Sequence, residues 1–193
     1  MVFALICAII YVAIYNTIQF LIGTAYIYYM RAKGKKSLYI ETSVVSYLTA
    51  RPSRDIITAA YQQITREWWA FEIRKYTCYI SDFVLAEITK GDPKAAVLRQ
   101  KAVAGFAQLS LTPLVRTLVH EYEKVLAIPR SARLDLFHIA ISVANGMDYI
   151  VSWNFKHIAN AFIREKLQGV NYKLSLRTPT ICSPEELTGD DYE

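Results

Sequence analysis

An α/β domain with a parallel sheet covered by helices on both faces is predicted from three features of the chain. Short apolar, β-branched or aromatic runs at Leu38-Tyr39-Ile40, Cys78-Tyr79-Ile80, Leu109-Ser110-Leu111, Tyr149 to Trp153 and Pro179 to Cys182 read as strands. Segments with apolar residues at helical spacing separate these runs, the alternation that builds parallel sheets. Cap and breaker residues stand at most of the junctions.

Leu38-Tyr39-Ile40 runs into Glu41-Thr42-Ser43, where Thr and Ser are good caps for a helix carrying Val44, Val45, Tyr47 and Leu48. Pro52 and Ser53 punctuate, and Ile56, Ile57, Ala60, Ile64, Trp68 and Phe71 then mark an amphipathic helix over 55–75. After the strand at Cys78, Ser81 or Asp82 caps a helix through Glu87, and Gly91-Asp92-Pro93 ends it and starts another over 94–106. Thr112-Pro113 opens a helix to Ala127, Pro129 breaks it, and a helix over 131–145 follows with Gly146 as its cap. The strand at Tyr149 leads to a helix over 155–167 and a last strand at Pro179 to Cys182.

Residues 1–30 contain no Asp, Glu, Lys or Arg, so all 22 basic and 17 acidic residues lie beyond them. Two readings of residues 1–29 follow. The run exceeds the ~20 apolar residues of a spanning helix, and Arg31, Lys33, Lys35 and Lys36 after it leave the larger domain cytoplasmic by the positive-inside rule. Alternatively Met30 is the start of a cytosolic protein. The organisation expected is a hydrophobic segment at 1–29 (a transmembrane helix or a mis-assigned start), a basic linker at 30–36, a globular domain at 37–187 and an acidic tail at 188–193. Cys7, Cys78 and Cys182 form no CxxC pair, which argues against a zinc or disulfide framework and for a reducing compartment. A net charge of +5 and a pI near 9.0 suit a polyanionic partner.

Four polar residues interrupt otherwise apolar segments: Glu41 after the first strand, Glu87 after Phe83-Val84-Leu85-Ala86, Asp135 within Leu134 to Ala144, and Asn154 after Tyr149 to Trp153. A buried carboxylate costs several kcal/mol, on the order of a broken ion pair, unless a cation or partner compensates it. Glu41 and Asn154 both fall just past a strand's carboxyl end, where open α/β sheets bind ligands. Asp135, His138 and Ser142 share one helical stripe, too narrow for a solvated face and suited to lining a pocket. Oxygen ligands without cysteine favour Mg²⁺ or Mn²⁺, ions that activate water and stabilise charge on phosphoryl oxygens. Phosphodiester hydrolysis is the implied reaction. Singly, each residue has a plainer reading: Glu41 as a helix cap, Glu87 as a partner of Lys90, Asn154 and Asp148 as turn residues, His138 and His157 as hydrogen-bonded core or rim histidines. Dinucleotide and P-loop phosphate motifs, the GxSxG elbow and HExxH are absent from the sequence.

The segments Tyr39 to Leu48, Ser81 to Glu87, Asp135-Leu136-Phe137-His138-Ile139-Ala140 and Asp148 to Ile158 resemble, in order and spacing, the successive motifs of PIN-domain proteins of the VapC-like kind. That resemblance implies a three-layer α/β/α sandwich with a central, mostly parallel sheet and Mg²⁺- or Mn²⁺-dependent RNA cleavage. It often goes with the toxin of a type II toxin-antitoxin pair, hence a small antitoxin protein as partner and a homodimer. The family's acids fall on Glu41, Glu87 and Asp135 as metal ligands, with Asn154 at the fourth position. Thr42 or Ser43 would orient water or phosphate, and His138 and His157 would lie near the substrate. Glu41 replaces the family's usual Asp and reaches one methylene further, and Asn154 replaces an acid with a neutral amide. The competing expectation is a catalytically degenerate PIN-like protein that binds RNA or a partner without cutting it, membrane-anchored if residues 1–29 are translated.

Overall fold

In a computed structural model, residues 34–126, 129 and 132–189 are described. The chain divides into two units, Met1–Lys35 and Lys36–Glu193, and the second carries the sheet and its helices. The expected membrane segment at 1–29 lies outside the described residues. Among the described residues no helix is long and apolar enough to cross a membrane.

Five strands form one parallel sheet: β1 (Lys36–Ile40), β2 (Tyr76–Ser81), β3 (Ala107–Leu109), β4 (Tyr149–Val151) and β5 (Thr180–Cys182), in the order β3-β2-β1-β4-β5. Successive residues Leu38, Tyr39 and Ile40 are all fully buried although they point to alternate faces. Both faces of the sheet are therefore covered, and the expected three-layer α/β/α sandwich is the fold found. The covering helices among the described residues are α1 (Thr42–Thr49), α2 (Ile56–Phe71), α3 (Asp82–Ile88), α4 (Pro93–Val103), α5 (Pro113–Val125), α6 (Arg133–Ala144) and α7 (Ala161–Lys173). Each of Leu38, Ile40, Leu118, Leu136, Ile139, Ile141 and Ile150 is 1% exposed or less, worth about 1.5–3 kcal/mol apiece relative to full exposure.

Polar side chains fix the ends of this framework. At the amino-terminal edge Asp148, nearly buried, accepts hydrogen bonds from the Ser37 amide (2.9 Å), the Ser37 hydroxyl (2.8 Å) and Arg177 Nη1 (2.8 Å), tying β1 to β4. Asp148 is thus a structural clamp, remote from the carboxyl edge. In α2 the buried Gln62 accepts from the Ser53 amide and donates to the Arg51 carbonyl, pinning the loop after α1. Cys182 is buried in β5, and burial pushes its thiol up to about 12.

Several boundaries differ from the sequence reading, and those of β3, β4 and α7 bear on the carboxyl edge of the sheet. β3 begins two residues earlier than expected, because Thr112 is committed as the α5 cap and its hydroxyl accepts from the Val115 amide. β4 stops at Val151, and the helix expected at 155–167 instead spans Ala161–Lys173. Asn154 causes the delay: its carbonyl accepts from the amides of Ile158 and Ala159 and its Oδ1 from the His157 amide, so 154–159 closes as a turn. Asn160 then supplies the α7 cap, accepting from the amides of Phe162 and Ile163.

Candidate active site

The strand order reverses direction at β1 and β4: the chain moves outward through β2 and β3 on one side and through β5 on the other. Such a switch point opens a crevice beyond the strands' carboxyl ends. Glu41 follows β1 there, and Ser152 to Asn154 follow β4.

Glu41 keeps an extended backbone and caps α1, its Oε2 accepting from the Ser43 amide (3.1 Å) and the Ser43 hydroxyl. The same oxygen accepts from Ser152 Oγ at 2.8 Å, across the β1/β4 seam. The plain reading of Glu41 as a cap is correct but incomplete, since among the described residues no hydrogen bond reaches Oε1. Glu87 projects from α3, and its Oε2 accepts from the Thr42 hydroxyl and bonds His138 Nε2 at 3.2 Å. Burial, the largest influence, pushes the Glu87 carboxyl up, but the bonds from His138 and Thr42 outweigh it and leave the group below its ordinary value.

His138 is fully buried in α6, and its Nδ1 pairs with the Tyr39 hydroxyl at 2.7 Å, which in turn lies 2.6 Å from Ser81 Oγ. Ser81, Tyr39, His138 and Glu87 form a continuous polar chain through the core. Burial alone would depress the imidazole, yet its bond to Glu87 and the charges of Glu41, Glu87 and Asp135 hold it above its ordinary value. The ligand atoms of Glu41, Glu87 and His138 lie within 4.8 Å of one another.

Asp135 occupies the first turn of α6, half-buried, outside that trio but close enough to share its field. Burial is the main cause that raises its carboxyl, opposed by a bond to the Asn154 side chain and helped by the Glu41 charge. Because the Asn154 Oδ1 already accepts from the His157 amide, its amide nitrogen is the atom left for Asp135. His157 stands near enough to draw the Asp135 carboxyl down.

All eight residues singled out in the sequence, Glu41, Thr42, Ser43, Glu87, Asp135, His138, Asn154 and His157, therefore gather around one sheet edge. Thr42 and Ser43 donate their hydroxyl hydrogens to Glu87 and Glu41 and so orient those carboxylates. Ser142, on the Asp135 stripe, is fully buried and donates back to the His138 carbonyl at 2.8 Å inside its own helix. The sequence reading missed Tyr39, Ser81 and Ser152. A tyrosine in the middle of a buried strand was the available signal, since its hydroxyl needs a partner there.

A donor set of three carboxylates with an amide and no thiolate fits a hard divalent cation. The upward push on Asp135 from burial and from Glu41 is the kind of penalty that such a cation removes.

No family model and no curated protein matches the chain. Among the solved structures that resemble it in fold are a VapC and a VapBC structure. One is VapC20 of Mycobacterium tuberculosis, a sarcin-ricin loop cleaving toxin, with 17% identity, a TM-score of 0.49, and coverage of 64% of this chain and 94% of that one. The other is VapBC2 from Rickettsia felis, solved bound to a DNA fragment from their promoter, with 13% identity, a TM-score of 0.45, and coverage of 76% and 97% respectively. At such identities the likeness concerns the course of the backbone alone.

Proposed function

We propose that the domain at 37–187 is a PIN-like, divalent-metal-dependent endoribonuclease of the VapC-like kind, acting on single-stranded RNA. The observation that carries this reading is the gathering of Glu41 and Glu87, whose ligand atoms lie within 4.8 Å of each other, at the switch point of a parallel sheet, with Asp135 near enough for its charge to act on the His138 beside them. The three carboxylates are the proposed metal ligands. His138, with both ring nitrogens engaged, serves as a positioning residue for Glu87 rather than as a ligand. Asn154 holds Asp135, Ser152 and Ser43 hold Glu41, and Thr42 holds Glu87.

A bound Mg²⁺ or Mn²⁺ supplies activation of the attacking water and neutralises charge on the phosphoryl oxygens. The rest falls to the chain itself. Rigidly hydrogen-bonded carboxylates arrive preorganised, and the exposed Lys156 offers positive charge to the RNA backbone beside them. The basic balance of the chain accords with an RNA substrate. The biological role proposed is the toxin of a type II toxin-antitoxin pair in the cytoplasm, restrained by a small antitoxin protein and acting as a homodimer.

Purified full-length protein should cleave single-stranded RNA with Mn²⁺ and stop on addition of EDTA. Glu87→Gln should lower the rate by about a hundredfold or more, the scale of losing one preorganised electrostatic group. Cleavage that survives EDTA, or that Glu87→Gln leaves intact in a folded variant, would overturn the proposal. RNA binding without cleavage under any metal would instead support the degenerate binding protein.

A further inference from the structure

Beside the carboxylates stands an aromatic cluster that the chemistry above does not use. Tyr61 stacks on Trp153 with centroids 4.3 Å apart, and Tyr47 stacks on Tyr61 at 6.2 Å. Trp153 is almost fully buried, and its indole N–H donates to Thr65 Oγ1 at 2.7 Å while its backbone amide donates to the Ser43 hydroxyl. The last ring of the cluster, Phe155, meets Trp153 edge-on at 5.9 Å and Tyr61 at 5.9 Å, yet leaves 43% of its surface in solvent.

Phe155 follows Asn154 directly, and the Asn154 backbone amide donates to Ser152 Oγ at 2.9 Å, the hydroxyl that itself donates to Glu41 Oε2 at 2.8 Å, so the turn carrying the exposed ring is tied to the carboxylate cluster. The turn that presents it is fixed. Phe155 N donates to the Trp153 carbonyl, the Asn154 carbonyl accepts from two amides, and the fully buried Ile158 anchors the far side. Part of the Phe155 ring packs on Trp153 and Tyr61, and the part left in solvent forgoes hydrophobic stabilisation that the fold would otherwise gain. Lys156 beside it adds a cation on the solvent side. A flat apolar ring, preorganised next to a positive charge and a phosphodiester-cleaving site, has the makings of a platform for a nucleobase.

We infer that Phe155 stacks an unpaired base of the RNA substrate next to the scissile phosphate, which makes the site selective for single strands. This rests on the nuclease reading for its substrate class, but its test reads binding alone. Anisotropy of a fluorescein-labelled single-stranded RNA of about ten nucleotides, within the usual footprint of such sites, is followed on the full chain carrying Asp135→Asn with Mn²⁺ present. In that background Phe155→Ala and Phe155→Leu should each weaken binding roughly five- to a hundredfold, the range for one base–aromatic stack. Phe155→Trp should restore it, and a duplex of the same sequence should bind all four proteins alike.

Unchanged binding by Phe155→Ala, or by Phe155→Leu should the alanine variant fail to fold, overturns the inference and points to a protein partner for the exposed ring. The two readings fail separately. Phe155-dependent binding by a protein that never cleaves would sink only the nuclease reading, whereas metal-dependent cleavage with Phe155-independent binding would sink only the stacking platform.

Discussion

Replacing Asp135 by asparagine is expected to stabilise the metal-free protein and to reverse that advantage when metal is added. In the fold, burial and the Glu41 charge raise the Asp135 carboxyl despite the bond from Asn154 and the two nearby histidines. A raised value means that the ionised form is worse off folded than unfolded. At neutral pH this subtracts from stability, and the loss vanishes as the pH falls below the ordinary value of 3.8, where the group is protonated in both states. Asparagine keeps the shape, drops the charge and still accepts from Asn154. Two effects shrink the gain: Asp135 is half-buried and partly screened, and it sits in the first turn of α6, where the dipole favours a negative charge by about 0.3–1 kcal/mol. A net gain of about 0.5–1 kcal/mol remains, at the low end of what relieving a strained polar site yields. For a domain of this size that is a rise in Tm of roughly 1–4 °C. Mn²⁺ at about ten times its dissociation constant stabilises the wild type by about 1.4 kcal/mol and the variant hardly at all, so the order of melting inverts. Calorimetry of both proteins in EDTA, in Mn²⁺ and at about pH 4, near the ordinary carboxylate value, reads all three limbs. A variant that melts below the wild type in EDTA, or equal Mn²⁺ shifts for both proteins, would mean that the Asp135 charge is neither penalised by the fold nor relieved by metal.

Other perturbations separate framework from site. Asp148→Ala removes the acceptor shared by the buried Ser37 amide and hydroxyl and the exposed Arg177 and should destabilise by about 2–3 kcal/mol, the scale of stranding buried donors; urea unfolding checks it, and a loss under 1 kcal/mol, about one ordinary hydrogen bond, would deny the clamp. The Glu87–His138 pair has a defined pH window in EDTA. The lowered Glu87 contributes stability above its ordinary 4.5 and loses it as pH falls through the folded value, while the raised His138 contributes below its ordinary 6.5 and loses it as pH rises through the folded value. The melting difference between wild type and Glu87→Gln should therefore peak between these limits and shrink toward alkaline pH; a flat profile would mean that the pair is not coupled. Thr65→Val strands the Trp153 indole N–H and should cost about 1–3 kcal/mol, with a shift in tryptophan fluorescence as the second readout.

The parts of this fold that were legible in the sequence are those with a local signature. Continuous apolar runs give the five strands, and Ser81, Asp92 and Thr112 cap helices as their hydroxyl and carboxyl chemistry dictates. Carboxylates set into apolar surroundings give Glu41, Glu87 and Asp135. What stayed hidden depends on residues far apart in the chain. Tyr39 meets Ser81 42 residues away and His138 99 residues away, and Glu87 meets His138 at a separation of 51. Periodicity carries no trace of such pairings, so His138 read as a rim or core histidine and its place at the centre of the polar chain did not emerge. The same limit hid Ser152, which reaches Glu41 across 111 residues. The late start of α7 had a local cause that was outweighed: the apolar residues Phe155 and Ile158 suggested a helix, while the double acceptance by the Asn154 carbonyl made a turn.

Crystals of the protein grown with Mn²⁺ and measured near the manganese absorption edge locate the ion without reference to activity. An anomalous peak within about 2.0–2.6 Å of carboxylate oxygens, the range for hard cations, is expected at Glu41, Glu87 and Asp135, with no peak when Glu87→Gln is treated identically. A peak held by other side chains, or none at saturating Mn²⁺, would leave the three carboxylates as a charged structural cluster and remove the basis for hydrolysis.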